Sequence, residues 1–176
     1  MSLGELKFSA LLYGLLQTLR VMSRRHPAYA RRLAESGCRV LIPTIIDRSR
    51  GPHLGRTRIS ARQFLYHAAF ELGRHLIGCE VQKVLAAVDW YARTDTDAEN
   101  KRRIGIIGWG EGGLLAFYAG ALDPRIEVVG VSGYFEDRNR LWEEPIDRNV
   151  FGLLEQFGDA ELASMIAPRR LIVEAA

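Results

Sequence analysis

Along this chain, stretches whose apolar side chains recur every three or four residues alternate with short runs in which they are continuous. Leu11, Leu12, Leu15, Leu16 and Leu19 repeat at helical spacing and predict an amphipathic helix within residues 1–26. Tyr29, Leu33 and Ala34 share one face of a second helix that Gly37 can end, and Val40-Leu-Ile-Pro-Thr-Ile-Ile46 then reads as a buried strand. Residues 47–60 mix glycine, proline and charge without an apolar period, so they form a long excursion of the kind that often approaches an active site. A helical region follows from Ala61 to Ala92, with Gly73 and Gly78 as points of bending or interruption. Its second part sets Val81, Val84, Leu85 and Val88 on one core face.

The tract 93–103 is a polar surface loop, and Ile104-Gly-Ile-Ile-Gly108 has the short apolar character of a central strand. Trp109-Gly-Glu-Gly-Gly113 turns tightly into an apolar helix at Leu114–Leu122, closed by Asp123-Pro124, and a strand follows at Ile126–Val131. Beyond a polar, tryptophan-containing region from Phe135 to Asp159, a short helix at Ala160–Ile166 leads through Ala167-Pro168 into a strand at Leu171–Val173. Helices alternating with buried strands predict a three-layer αβα fold with a mainly parallel sheet. Residues 27–176 then form one domain, preceded by an atypical helical segment at 1–26.

Composition narrows the functional classes. The net charge is only +3, with 24 cations dispersed among 21 acids, which gives little footing for a nucleic-acid surface. No stretch is long and apolar enough to span a bilayer, and Phe8–Val21 lacks the basic start and small-residue cleavage site of a signal peptide. The chain reads as soluble, with its compartment open. Cys38 and Cys79 stand apart without CxxC spacing and read as buried free thiols, neither metal ligands nor a redox pair.

The chemistry concentrates at the glycine-rich turn, which supports three readings. In a nucleophile elbow, G-x-S-x-G makes a sharp strand-to-helix turn that exposes a serine; here Gly108-Trp-Gly-Glu-Gly112 keeps the outer glycines, but Gly110 stands where the nucleophile should be. Gly108, Gly110 and Gly113 also satisfy the G-x-G-x-x-G of a dinucleotide site, with Glu136 and Asp137 after the next strand, although Glu111 brings a carboxylate to the helix N-terminus that a pyrophosphate needs. The plainest reading is that the glycines permit close packing while Glu111 complements the helix dipole. A catalytic Glu111 would need a tuned pKa and a partner, and the sequence identifies none. His26, His53, His67 and His75 all precede the turn, whereas the hydrolase order is serine, acid, histidine. His67 and His75 lie eight residues apart on the long helical region, too far for an i,i+4 metal pair, and read as structural. Trp109 and Trp142 read as packing residues.

Several segments together resemble the acetyl-xylan-esterase-like and dienelactone-hydrolase-like branch of the α/β-hydrolase superfamily, in particular divergent bacterial members. The carriers are Arg39-Val-Leu-Ile-Pro-Thr-Ile-Ile-Asp47, Glu71-Leu-Gly-Arg-His-Leu-Ile-Gly78, Glu80-Val-Gln-Lys-Val-Leu-Ala-Ala-Val-Asp-Trp90, Gly108-Trp-Gly-Glu-Gly-Gly113 and Ala121-Leu-Asp-Pro-Arg125. Ser132-Gly-Tyr-Phe135, Leu141-Trp-Glu-Glu-Pro145 and Phe157-Gly-Asp-Ala-Glu-Leu162 add to them. The resemblance implies that the strands at 40–46, 104–108, 126–131 and 171–173 are the family's fourth to seventh, with earlier strands and the last strand lacking. It implies ester chemistry on an acetylated carbohydrate or small ester without a cofactor, and it offers Glu174 as a weak counterpart of the catalytic acid. With Gly110 at the elbow and no histidine downstream, the expectation is an incomplete or degenerate hydrolase-like domain, inactive alone, whose exposed sheet edges invite self-association or complementation.

Overall fold

The computed structural model describes residues 29–46, 59–95, 103–136 and 138–174, together with the backbone of residues 8–13. Five parallel strands, β1 (Phe8–Tyr13), β2 (Arg39–Leu41), β3 (Arg103–Trp109), β4 (Ile126–Ser132) and β5 (Arg170–Glu174), form one sheet in the order β2-β1-β3-β4-β5. The helices are α1 (Tyr29–Glu35), α2 (Ala61–Glu71), α3 (Leu76–Thr94), α4 (Glu111–Leu122), α5 (Leu153–Gln156) and α6 (Asp159–Ile166). The chain steps from β1 to β2 in one direction and from β3 through β4 to β5 in the other. With right-handed crossovers, that reversal puts α1 on the face opposite α4 and α6, which makes the fold the three-layer α/β arrangement that the alternation predicted.

The core lies between the sheet and the layer of α3, α4 and α6. Val81, Val84 and Val88 of α3 meet Leu114, Leu115 and Phe117 of α4 over Ile106, Val129 and Val131. Every residue of α4 from Glu111 to Ala121 is buried, so its sequence needs no polar stripe. Among the described residues, no element covers the opposite face of the later strands, where Ile107, Trp109 and Ile172 are exposed.

Local chemistry explains the boundaries. Ser60 caps α2 through a reciprocal capping box with Gln63. Gly37, at φ 89°, closes α1: its N–H donates to the Ala34 carbonyl, and the Cys38 N–H donates to that of Leu33. Gly73, at φ 68°, separates α2 from α3, whereas Gly78 sits inside α3. His67 and His75 consequently belong to different elements, the second as the N-cap residue of α3, and not to one continuous helix.

Two expectations are corrected. The helix expected within residues 1–26 gives way at Phe8–Tyr13 to a strand paired in parallel with both β2 and β3, so the sheet does include a strand before residue 27. A short apolar run fits a buried strand as well as a helix, and only its neighbours decide. The buried strand expected over 40–46 is a ladder of three residues at the sheet edge, with Arg39 exposed; Pro43, which lacks an N–H, follows it. Residues 47–58 of the excursion, residues 96–102 of the polar tract, Leu15, Leu16 and Leu19 of the expected N-terminal helix, and Asp137 lie outside the described residues. Among the described residues, no helix is long and apolar enough to cross a membrane.

Candidate functional site

The order β2-β1-β3-β4-β5 reverses direction between β1 and β3, and in open α/β sheets the crevice at the carboxyl ends of such a pair is where ligands bind. Gly110 follows β3 at that point. Its backbone takes φ 56° and ψ −121°, a left-handed conformation that L side chains rarely adopt. The Gly110 N–H donates to the Ser132 carbonyl at 2.8 Å, and its own carbonyl accepts from Leu114 N–H at 3.1 Å as the first bond into α4.

The flanking glycines have a different reason. A Cβ on Gly108 would fall 1.9 Å from the Gly112 carbonyl oxygen, and one on Gly113 would stand 3.0 Å from that of Ser132. Gly108 is closed to any side chain without movement of the backbone, and Gly113 would need its neighbour to give by a few tenths of an ångström. A Cβ on Gly110 would meet nothing within 4 Å. The turn thus combines crowding at its outer glycines with open space at its centre, which is the steric pattern of an elbow that displays one side chain.

Glu111 begins α4 and is 2% exposed. Its carboxylate accepts from the Arg62 guanidinium through Oε1 and from Arg148 Nε at 3.1 Å through Oε2. Arg62 also forms a two-pronged pair with Glu80, both bonds 3.0 Å, donates to Asp147 through Nε and reaches the Ile46 carbonyl at 3.2 Å. Glu80 in turn accepts from the Ile46 N–H at 3.0 Å, which anchors the strand-end segment to α3. Burial alone pulls the Arg62 guanidinium down, but the hydrogen bond to Glu80 and the charges of Glu111 and Glu80 outweigh it and hold it above its ordinary value. Burial acts on Arg148 in the same sense and is outweighed by hydrogen bonds to Glu144 and Glu111. Both oxygens of Glu111 are therefore engaged by arginine, an arrangement suited to fixing the start of α4.

Glu174 ends β5, two strands from the turn. Its carboxylate accepts from Ser132 Oγ at 2.5 Å, and its carbonyl from the Gly133 N–H at 3.3 Å. Trp109, Ser132 and Glu174 stand in register across β3, β4 and β5, so the turn, a serine hydroxyl and an exposed carboxylate share one end of the sheet. No histidine joins them among the described residues: His67 is exposed on α2, and His75 lines a cavity of about 560 Å³ with Cys79, Val81, Tyr118, Leu122 and Leu162. No group of three His, Cys, Asp or Glu residues is placed to hold a metal ion among the described residues.

No family model and no solved structure matches the chain. It is 30% identical over 122 residues to a Bacillus subtilis (strain 168) protein named "Putative hydrolase YtaP". The likeness is to a protein that carries a hydrolase name. The matched stretch is 65% of this chain and 40% of that protein, so the chain spans less than half the length of this relative. The relative's name supports a hydrolase-like character at that coarse level.

Sequence reasoning found the turn but missed the ions around it. Arg62 and Asp147 lie 49 and 36 positions or so from Glu111 in opposite directions, with no motif to link them. Glu80 carried a readable signal: it falls between Ile77 and Val84 in the apolar stripe of α3, where an ionised side chain demands a buried partner. Ser132 closes an ordinary strand and had no comparable mark.

Proposed function

We propose that this chain carries the elbow-bearing part of an α/β-hydrolase-type domain of esterase descent, related to enzymes acting on acetylated carbohydrates or small esters. On this reading it performs no acyl-enzyme chemistry itself. The observation behind it is Gly110: an elbow-like backbone with free space for a side chain, occupied by the one residue that has none. An acyl-enzyme needs an activated nucleophile with a base in reach. Glu111 is a poor substitute, because two arginines hold its oxygens inside the fold. The same feature weighs against the dinucleotide reading of Gly108, Gly110 and Gly113, since a carboxylate already sits at the α4 N-terminus where a pyrophosphate would bind.

The test is hydrolysis of p-nitrophenyl acetate by the folded chain beside Gly110→Ser and Glu111→Gln. The expected result is no turnover above the protein-free rate for the wild type and Glu111→Gln. Wild-type turnover that disappears in Glu111→Gln would overturn the reading in favour of carboxylate catalysis. Titration with NAD to millimolar concentration is expected to show no binding, and saturable binding abolished by Gly113→Ala would favour the dinucleotide site.

A further inference from the structure

Beside the elbow lies a second group of buried polar side chains, separate from the ions around Arg62. Tyr134 and Arg138 come from the segment after β4, Tyr118 from α4 and Asp159 from the first turn of α6, and these residues are 4–9% exposed. Arg138 donates to the Tyr134 hydroxyl and stands over its ring, 5.5 Å from the centroid, while the Tyr118 hydroxyl is 3.5 Å from that of Tyr134. Asp159 accepts from the Glu136 N–H at 3.3 Å and from the Tyr134 hydroxyl, but it forms no ion pair among the described residues. We propose that this group is a proton-dependent clasp: the segment after β4 closes on α4 and α6 more tightly when the Asp159 carboxyl is protonated, and loosens as that carboxyl ionises.

A carboxylate in the interior needs a paired cation or several strong donors in place of water. Asp159 has one long N–H contact and one phenol, and the Arg138 guanidinium is engaged by Tyr134. The groups facing it are Tyr134, Glu136 and Arg138 from the segment after β4 and Tyr118 from α4; on α6 itself, Glu161 is turned back to the Gly158 N–H at 2.8 Å. The start of α6 favours the ion, but that helix has only eight residues. Burial, with the like charge of Glu136, outweighs the hydrogen bonds and the charge of Arg138 and holds the carboxyl above its ordinary 3.8. Opened to water, the same carboxyl returns to its ordinary value. The closed arrangement thus binds the proton more tightly than the opened one. Acidification from neutral pH through the raised value draws the segment closed, and as pH rises through that value an ion without a paired cation is left inside and closure weakens. Arg138 favours opening further, because its backbone takes φ 63°, in the left-handed region, and relaxes once its contacts release. The clasp borders the elbow: a Cβ on Gly113 would stand 3.3 Å from that of Tyr134, and Tyr134 lies two residues after Ser132, whose carbonyl holds the Gly110 N–H.

Amide hydrogen exchange of the whole chain, resolved by NMR from about pH 7.5 to about pH 4.5 and corrected for intrinsic rates, tests the proposal. The reporters are the Glu136 amide, which bonds Asp159, and the Leu141 amide, which bonds the Arg138 carbonyl at 3.2 Å. Their protection is expected to rise as pH falls, roughly tenfold for each unit by which the closed carboxyl stands above the opened one. Asp159→Asn keeps an oxygen for the Glu136 N–H and loses the titration, so its protection should stay at the acid level of the wild type throughout. A carbon-13 titration of the Asp159 carboxyl in the wild type needs no variant and is expected to show a midpoint above 3.8. A midpoint at or below 3.8 would overturn the proposal. Wild-type protection that is flat or falls on acidification, or a slope that survives in Asp159→Asn, would overturn it equally.

Discussion

The two ends of α4 are both held by arginine and carboxylate groups, yet at one end the arginine is sealed inside and at the other the arginines reach solvent. At the start, Glu111 lies between Arg62 and Arg148, with Glu80 and Asp147 closing around Arg62; the side chains of Arg62, Glu80, Glu111 and Asp147 are at most 7% exposed. At the finish, Arg169 donates to the carbonyls of Gly120, Asp123 and Ile126 at 2.7–2.9 Å, and Asp123 is gripped by Arg125, which is 46% exposed and also reaches Asp89. Each end complements the helix dipole, with a carboxylate at the positive pole and a guanidinium at the negative one. The difference is what happens when a partner is removed. At the finish an arginine that loses its partner can turn to solvent, but at the start an ion would be left in the interior without a counter-charge.

This contrast orders the expected effects. Glu111→Ala should cost about 3–5 kcal/mol in urea denaturation, as breaking a buried pair does; a loss under about 1 kcal/mol would mean that the sealed end behaves like a surface pair. Arg169→Ala, which frees three carbonyls of buried residues beside the solvent-exposed Arg125, should cost about 2 kcal/mol, the scale of hydrogen bonds to a charged group. If it matched Glu111→Ala, burial would not be what separates the two ends.

The smallest effect concerns pH. Burial alone pushes the Asp123 carboxyl up, but the hydrogen bonds and charge of Arg125, with Arg169 nearby, outweigh it and leave it below its ordinary 3.8. A carboxyl lower in the folded than in the unfolded state contributes stability that is present above 3.8 and is lost as pH falls through the lowered value. Asp123→Asn should therefore show a shallower loss of stability on acidification below about pH 4 than the wild type, followed by thermal unfolding across pH. Parallel curves would show that Asp123 plays no part in the acid limb.

How much of this was legible in the sequence depended on range. The valine stripe of α3, the closure of α1 at Gly37 and the break at Gly73 follow from residues within a few positions of one another, and each was readable. So was the β3–α4 turn, because only glycine fits beside the Gly112 carbonyl. β1 was not readable: a six-residue apolar run becomes a strand only because β2 and β3 flank it. The same limit hid the company that Glu111 keeps. The sequence showed an acid at a helix start, while Arg62 and Arg148 reach it from segments far away along the chain.

That distance has a kinetic consequence. Arg62 meets Glu80, Glu111 and Asp147 across 18, 49 and 85 residues of chain. Closing such loops costs entropy before any contact rewards it, so the cluster is expected to form late in assembly. Interactions absent from the transition state act on escape from the native basin and leave the approach to it nearly unchanged. The ions around Arg62 then work as a latch: their removal is expected to hasten unfolding far more than it slows folding.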